Sequence, residues 1–213
     1  MEIEKQRDRL IQFLKTSGRL NTIEVENAFK DVPRENFIPE KLKNSAYVDT
    51  PLNIGYRQTI SAPHMVAIMI ENLDLKKGHK VLEIGAGSGY HAAIASKIVG
   101  DSGHIYTIER IRELADKAIE NLKITGIENV TVIIGDGSLG LEKYAPYDRI
   151  YVTCAAPSIP EPLIEQLADP GKLMVPVGNE ICDLILLEKK EGRIINSSIC
   201  SCAFVPLIGE KGF

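Results

Sequence analysis

Residues 81–90 read VLEIGAGSGY. A short apolar run, broken only by Glu83, leads into Gly85, Gly87 and Gly89. Its length suits a strand buried on both faces. The following SGYHAAIASKIVG (88–100) reads as a helix closed by Gly100. A strand turning through glycines into a helix lets a ligand approach the main chain closely. The spacing is G-x-G-x-G, whereas dinucleotide-binding loops usually show G-x-G-x-x-G. Taken alone, the loop leaves a nicotinamide cofactor, another nucleotide-like ligand and a plain glycine turn open.

Outward from this loop, strand and helix alternate. HKVLEIG (79–85), GHIYTIE (103–109), VTVIIGD (130–136), YDRIYVTCA (147–155) and KLMVPVG (172–178) read as strands. APHMVAIMIENLDL (62–75), RIRELADKAIENLKITG (110–126) and PEPLIEQLADPG (160–171) read as helices, the last with Pro162 in its first turn. Such alternation predicts an α/β fold with a doubly wound, mostly parallel sheet. DLILLEKKEGRIINSSICSCAF (183–204) reads as an antiparallel hairpin turning at Glu191-Gly192, for seven strands in all. Two short helices are expected before residue 45 and irregular chain over residues 46–60. The expected organisation is one domain over residues 1–213, divided into an N-terminal extension (1–60), a ligand-binding core (61–178) and C-terminal strands (179–213).

Composition narrows the partners. The 213 residues carry a net charge of −4, which gives no electrostatic footprint for nucleic acid. The first ten residues are charged and no apolar run is long enough to span a bilayer. Cys154, Cys182, Cys200 and Cys202 lie in strand-like stretches. They are expected as buried free thiols in a cytoplasmic protein. The C-x-C pair lacks a second pair or a nearby His, and Asp148 and Asp183 form no cluster, so no metal is expected.

Two further strand ends carry acids. Glu109 closes the second core strand, where a carboxylate can accept both hydroxyls of a ribose. Asp136 closes the third, where it can accept from an adenine amino group, and Gly137 leaves room for a ring. Together with the glycine loop, this set resembles the class I S-adenosylmethionine methyltransferases. The resemblance implies that Glu83, Gly85, Gly87 and Gly89 hold the methionine part of S-adenosyl-L-methionine, Glu109 the ribose, and Asp136 with Gly137 the adenine. The product would be S-adenosyl-L-homocysteine. VTCAAPS (152–158) lacks the Asn/Asp-Pro-Pro-aromatic tetrad of nucleobase amine methylation.

The flanks extend the resemblance. PRENFIPE (33–40), AYVDTPLNIGYRQTISAPHM (46–65), residues 147–178 and FVPLIGEKGF (204–213) look like the protein-L-isoaspartate O-methyltransferase family. That likeness implies methyl esterification of the free carboxylate of isoaspartyl residues in damaged peptides and proteins. The ester would then collapse to a succinimide, whose hydrolysis returns some normal aspartate. A carboxylate with a pKa of about 4 is ionised at neutral pH and needs no general base. It needs alignment and loss of water. A neutral hydroxyl can supply alignment, which makes Ser61 the candidate catalytic residue and Thr59 its support on the cofactor and substrate sides. The resemblance places His64 beside the cofactor; capping or packing is the equal alternative. The resemblance implies that Val205 and Leu207 form a wall of the peptide groove; read from the residues alone, they suit a plain edge strand. Ser61 also reads as the N-cap of the helix that follows. A monomer is expected.

Overall fold

A computed structural model describes residues 2–213. The chain opens with α1 (Glu2–Thr16) and α2 (Ile23–Asp31). Leu10, Ile11 and Leu14 bury one face of α1, and Val25, Ala28 and Phe29 one face of α2, the spacing of an amphipathic helix. Phe29 and Phe37 meet Tyr90 edge-on, with ring centroids 6.5 and 5.5 Å away. The N-terminal helices are thereby docked on the helix that follows the glycine loop.

Residues 46–60 depart from the expectation of irregular chain. They contain a two-stranded hairpin, β1 (Leu52–Gly55) and β2 (Gln58–Ile60), separate from the main sheet. Tyr56 and Arg57 at its turn have φ of 52° and 59°. A tight hairpin favours positive φ at both turn positions, normally supplied by Asn-Gly. Tyr-Arg carries no such signal, so the hairpin was hidden.

From there the chain runs through α3 (Pro63–Leu73), β3 (Lys80–Ile84), α4 (Tyr90–Val99), β4 (His104–Glu109), α5 (Arg112–Ile124), β5 (Val130–Ile134), β6 (Tyr147–Val152), α6 (Glu161–Glu165), β7 (Leu167–Gly178), β8 (Cys182–Lys190) and β9 (Arg193–Cys202). The seven-stranded order is β5-β4-β3-β6-β7-β8-β9. Strands β3 to β7 pair in parallel, and β8 and β9 antiparallel. Among the described residues no helix is long and apolar enough to cross a membrane.

One boundary moves. The predicted helix over 160–171 is only α6, five residues long, and β7 begins at Leu167. Pro170 and Gly171 cannot prolong a helix. Leu167 instead pairs with Tyr147 and is buried, so burial at the sheet outweighs a further helical turn.

Alternation sorts the strands onto two faces. Val81, Ile105, Tyr151 and Met174 join the core shared with α1 to α4, while Leu82, Ile84, Ile150 and Leu173 join the one containing Leu163 of α6 and Leu207. The chain steps from β3 outward to β5, then returns to β6 on the other side of β3. Open α/β sheets bind ligands where the order reverses in this way.

Because each left-handed non-glycine residue costs about 1–2 kcal/mol, replacing Tyr56-Arg57 by Asn-Gly should stabilise the hairpin. The expected rise in thermal midpoint is roughly 2–4 °C per kcal/mol gained. Calorimetry checks this, and a lowered midpoint would contradict it.

Candidate active site

The site begins where β3 ends. Gly85, Gly87 and Gly89 have φ of 95°, 54° and 87°, a region that L side chains avoid. A Cβ on Gly85 would overlap Thr153 Oγ1, and one on Gly137 would overlap Ile84 Cγ2. Thr153 follows β6; its N–H donates to Ile84 O at 2.9 Å and its hydroxyl to Gly85 O at 2.7 Å. The end of β6 therefore shapes the loop at the end of β3. The bare backbone leaves a cradle that side chains would fill, and its donors and acids suit a nucleoside carrying an amino acid.

A cleft lies over this cradle. Its lining brings together Thr59, Gly85, Gly87, Glu109, Gly137, Val205 and Leu207. Glu109 accepts from the Gly87 N–H at 2.9 Å and from the Ile111 N–H at 3.0 Å. Asp136 differs from expectation: Gly137, not Asp136, lines the cleft. Asp136 Oδ1 accepts from the N–H and hydroxyl of Ser138, and Oδ2 from the Glu210 N–H at 2.7 Å. Burial opposes its ionisation, but the bonds from Glu210 and Ser138 outweigh that and hold it below the usual carboxylate range. Its carboxylate thus also ties down the C-terminal turn beside the Gly137 end of the cleft.

Glu83 is fully buried beneath the loop. Thr107 and Tyr151 are its neighbours in register on β4 and β6. The Thr107 hydroxyl donates to Glu83 Oε2 at 2.5 Å. Desolvation dominates and pushes the Glu83 carboxyl up to about 8. The His91 ring lies tilted against Tyr151, centroids 4.6 Å apart, and is driven down to about 3 by burial, so it is neutral.

The acceptor side is an open groove lined by Pro51, Thr59, Ser61, His64, Thr153, Phe204 and Val205 among others. Thr59 and Thr153 line both cleft and groove, and Ser61 also reaches a narrow cleft beside Gly85 and Gly87. Leu207 lines the cleft but not the groove. The expected capping role of Ser61 is not found. The cap residue is Ala62, with no side-chain cap bond. Asp49 takes that role from a distance, accepting the His64 N–H at 2.9 Å and lying 2.9 Å from His64 Nδ1. His64 is therefore held by Asp49, and its ring belongs to the groove rather than the cleft. Among the described residues the Ser61 hydroxyl has no hydrogen-bond partner, while its carbonyl accepts from Arg34 Nη2 at 2.8 Å.

Thr153, Asp49 and Arg34 were missed in the sequence. A threonine directly after a strand was the only signal for Thr153, and an acid some fifteen residues ahead of a helix is none for Asp49. The described residues hold no group of three or more ligating side chains fit for a metal, and all four cysteines are free.

Between pH 4.5 and about 8 the folded chain keeps a proton on Glu83 that the unfolded chain has released. The folded state binds more protons there, so stability falls as pH rises through that window. Glu83→Gln should flatten this fall. Thermal midpoints at pH 5 and pH 8 measure it; an unchanged difference between the two would refute the assignment.

Residues 5–212 match the family model described as Protein-L-isoaspartate(D-aspartate) O-methyltransferase. A protein-L-isoaspartate O-methyltransferase of Methanococcus aeolicus is 56% identical over 98% of this chain and 97% of its own. A second, from Archaeoglobus fulgidus, is 55% identical over 100% and 97%. A solved protein-L-isoaspartate O-methyltransferase superposes with a TM-score of 0.88 at 32% identity, covering 97% of this chain and 67% of the other. A Plasmodium falciparum structure described as a complex of such an enzyme with S-adenosyl-L-homocysteine gives 0.84 at 30% identity, covering 94% and 97%. With its sheet order, glycine cradle and near-complete match in accord, the chain belongs to the protein-L-isoaspartate(D-aspartate) O-methyltransferase family.

Proposed function

We propose that this chain methylates the free carboxylate of L-isoaspartyl residues in damaged peptides and proteins, using S-adenosyl-L-methionine, with Ser61 aligning the acceptor. The observation that carries this reading is the uncommitted Ser61 hydroxyl, set where the groove meets the glycine cradle. The cofactor, when bound, supplies the methyl group from its sulfonium. The Gly85–Gly89 backbone and Glu109 would hold its amino acid and ribose parts, with Gly137 beside the adenine and Thr59 at the junction. Glu83 acts from below the loop, and Asp136, held by the C-terminal turn, would accept from the adenine amino group beside Gly137.

Chemistry at the acceptor follows from charge. The substrate carboxylate arrives ionised and needs no base. Ser61 can donate one hydrogen bond to it, fixing its direction while leaving the charge on oxygen. A cation would hold the carboxylate more tightly but would oppose the loss of its charge in the transition state. Thr59 and Val205 close the sides, and the hairpin and residues 203–208 keep water from the meeting point. Val205 is the expected wall of the groove; Leu207 supports it from the cleft side. His64, fixed by Asp49, borders the groove.

The partners are isoaspartyl peptides and proteins. The acidic net charge argues against nucleic acid. One chain carries every group used here, so a monomer suffices, and four free cysteines suit the reducing cytoplasm.

Labelled S-adenosylmethionine should give a base-labile methyl ester on an isoaspartyl peptide and none on its normal aspartyl counterpart. Equal labelling of the two would overturn the specificity. Ser61→Ala should lower kcat on the order of 10²-fold, the scale of a lost alignment, with S-adenosylhomocysteine affinity within about threefold. Lost affinity with turnover per complex intact would show that Ser61 serves the cofactor instead.

A further inference from the structure

Arg34 lines neither the cleft nor the groove, yet its side chain is completely buried. Burying a guanidinium is costly unless its charge is compensated, and no carboxylate forms an ion pair with it among the described residues. Its partners are instead three separate pieces of chain. Nε donates to Ala46 O at 2.9 Å, in the connector ahead of β1. Nη2 donates to Ser61 O at 2.8 Å, between β2 and α3. The guanidinium carbon lies 4.9 Å from the centre of the Tyr90 ring, and Tyr90 directly follows Gly89 of the cofactor loop.

We propose that Arg34 is a positioning residue for methyl transfer: it fixes the main chain of Ser61 and sets that segment in register with the glycine loop. This rests on the reading of Ser61 as the acceptor-side hydroxyl. Ser61 needs an external hold. Among the described residues its hydroxyl has no protein partner, it does not cap α3, and the strand before it belongs to an isolated two-stranded hairpin, which is marginal by itself. One planar guanidinium can donate to two carbonyls in its plane while its face rests on a ring. An ammonium offers neither the fork nor the flat face. Burial lowers the Arg34 pKa from its usual value, a loss that arginine tolerates while staying charged.

The test is a double-mutant cycle of Arg34→Lys and Ser61→Ala, with Arg34→Met as a third variant. Turnover on an isoaspartyl hexapeptide is expressed per S-adenosylhomocysteine-binding site, counted by calorimetric titration so that unfolded protein is excluded. Arg34→Lys and Arg34→Met are expected to lower kcat at least tenfold, with KM for the peptide and Kd for S-adenosylhomocysteine within threefold. In the Ser61→Ala background, Arg34→Lys should cost less than a further twofold, because both act through one hydroxyl. Full, additive losses would overturn the proposal. So would wild-type kcat in both Arg34 variants alongside a defective Ser61→Ala, and so would the disappearance of all binding sites in both, which would make Arg34 a residue of the fold alone. Unimpaired Ser61→Ala would instead overturn the Ser61 reading, and this proposal with it.

Discussion

The close approach of Gly85 and Thr153, at the adjacent carboxyl ends of β3 and β6, is the constraint on which the site depends. The chain leaves β3 in one direction and returns to β6 from the other, so two loops diverge from neighbouring strands. Parallel pairing fixes where those ends lie. Thr153 bonds to the Gly85 carbonyl, and only a residue without a Cβ fits there. Because Glu109 reaches back to the Gly87 amide, β4 is tied to the same loop. Three strand ends thus converge on one backbone cradle before any ligand arrives, the kind of preorganisation that catalysis by alignment requires.

The acceptor side hangs on that cradle through contacts that cross long stretches of sequence. The hairpin rests over Gly87, where a Cβ would touch Ile54. At the other wall, Ala155 N–H donates to Val205 O and Leu207 N–H to Ala155 O, at 2.8 and 2.7 Å, so the C-terminal segment is bridged to the chain just past β6. Phe213 N–H then hooks back to Leu207 O, and a Cβ on Gly212 would overlap that carbonyl. The closing Gly-Phe pair therefore has a physical role: it folds the terminus against the segment that forms the wall. Asp136 anchors the same turn from the opposite side.

Most of the sheet was legible because burial writes itself into strands as apolar runs. VLEIG, HIYTIE and YDRIYV needed no other clue, and glycine placed the cradle. The hairpin was illegible because Tyr56 and Arg57 adopt turn angles against their own preference. The short α6 was not legible because an apolar pattern around Leu163 and Leu167 suits either a helix or a strand entering the sheet. At the site, residue types at strand ends pointed to Glu109 and Gly137, while the use made of Asp136 depends on Glu210, seventy-four residues away. Asp49 replaces Ser61 as the cap across fifteen residues. Local motifs reveal which groups are near a ligand; they do not reveal which hydrogen bonds are already taken.

In the proposed reaction, catalysis is alignment of an anion that is already reactive, by a hydroxyl without a hydrogen-bond partner among the described residues. The most direct measurement is a crystal structure of the protein with S-adenosylhomocysteine and an isoaspartyl peptide. The account predicts the substrate carboxylate within hydrogen-bond distance of Ser61 Oγ, facing the cofactor sulfur, with the Ser61 carbonyl still held by Arg34. A carboxylate bound elsewhere, with the Ser61 hydroxyl turned to cap α3, would contradict it.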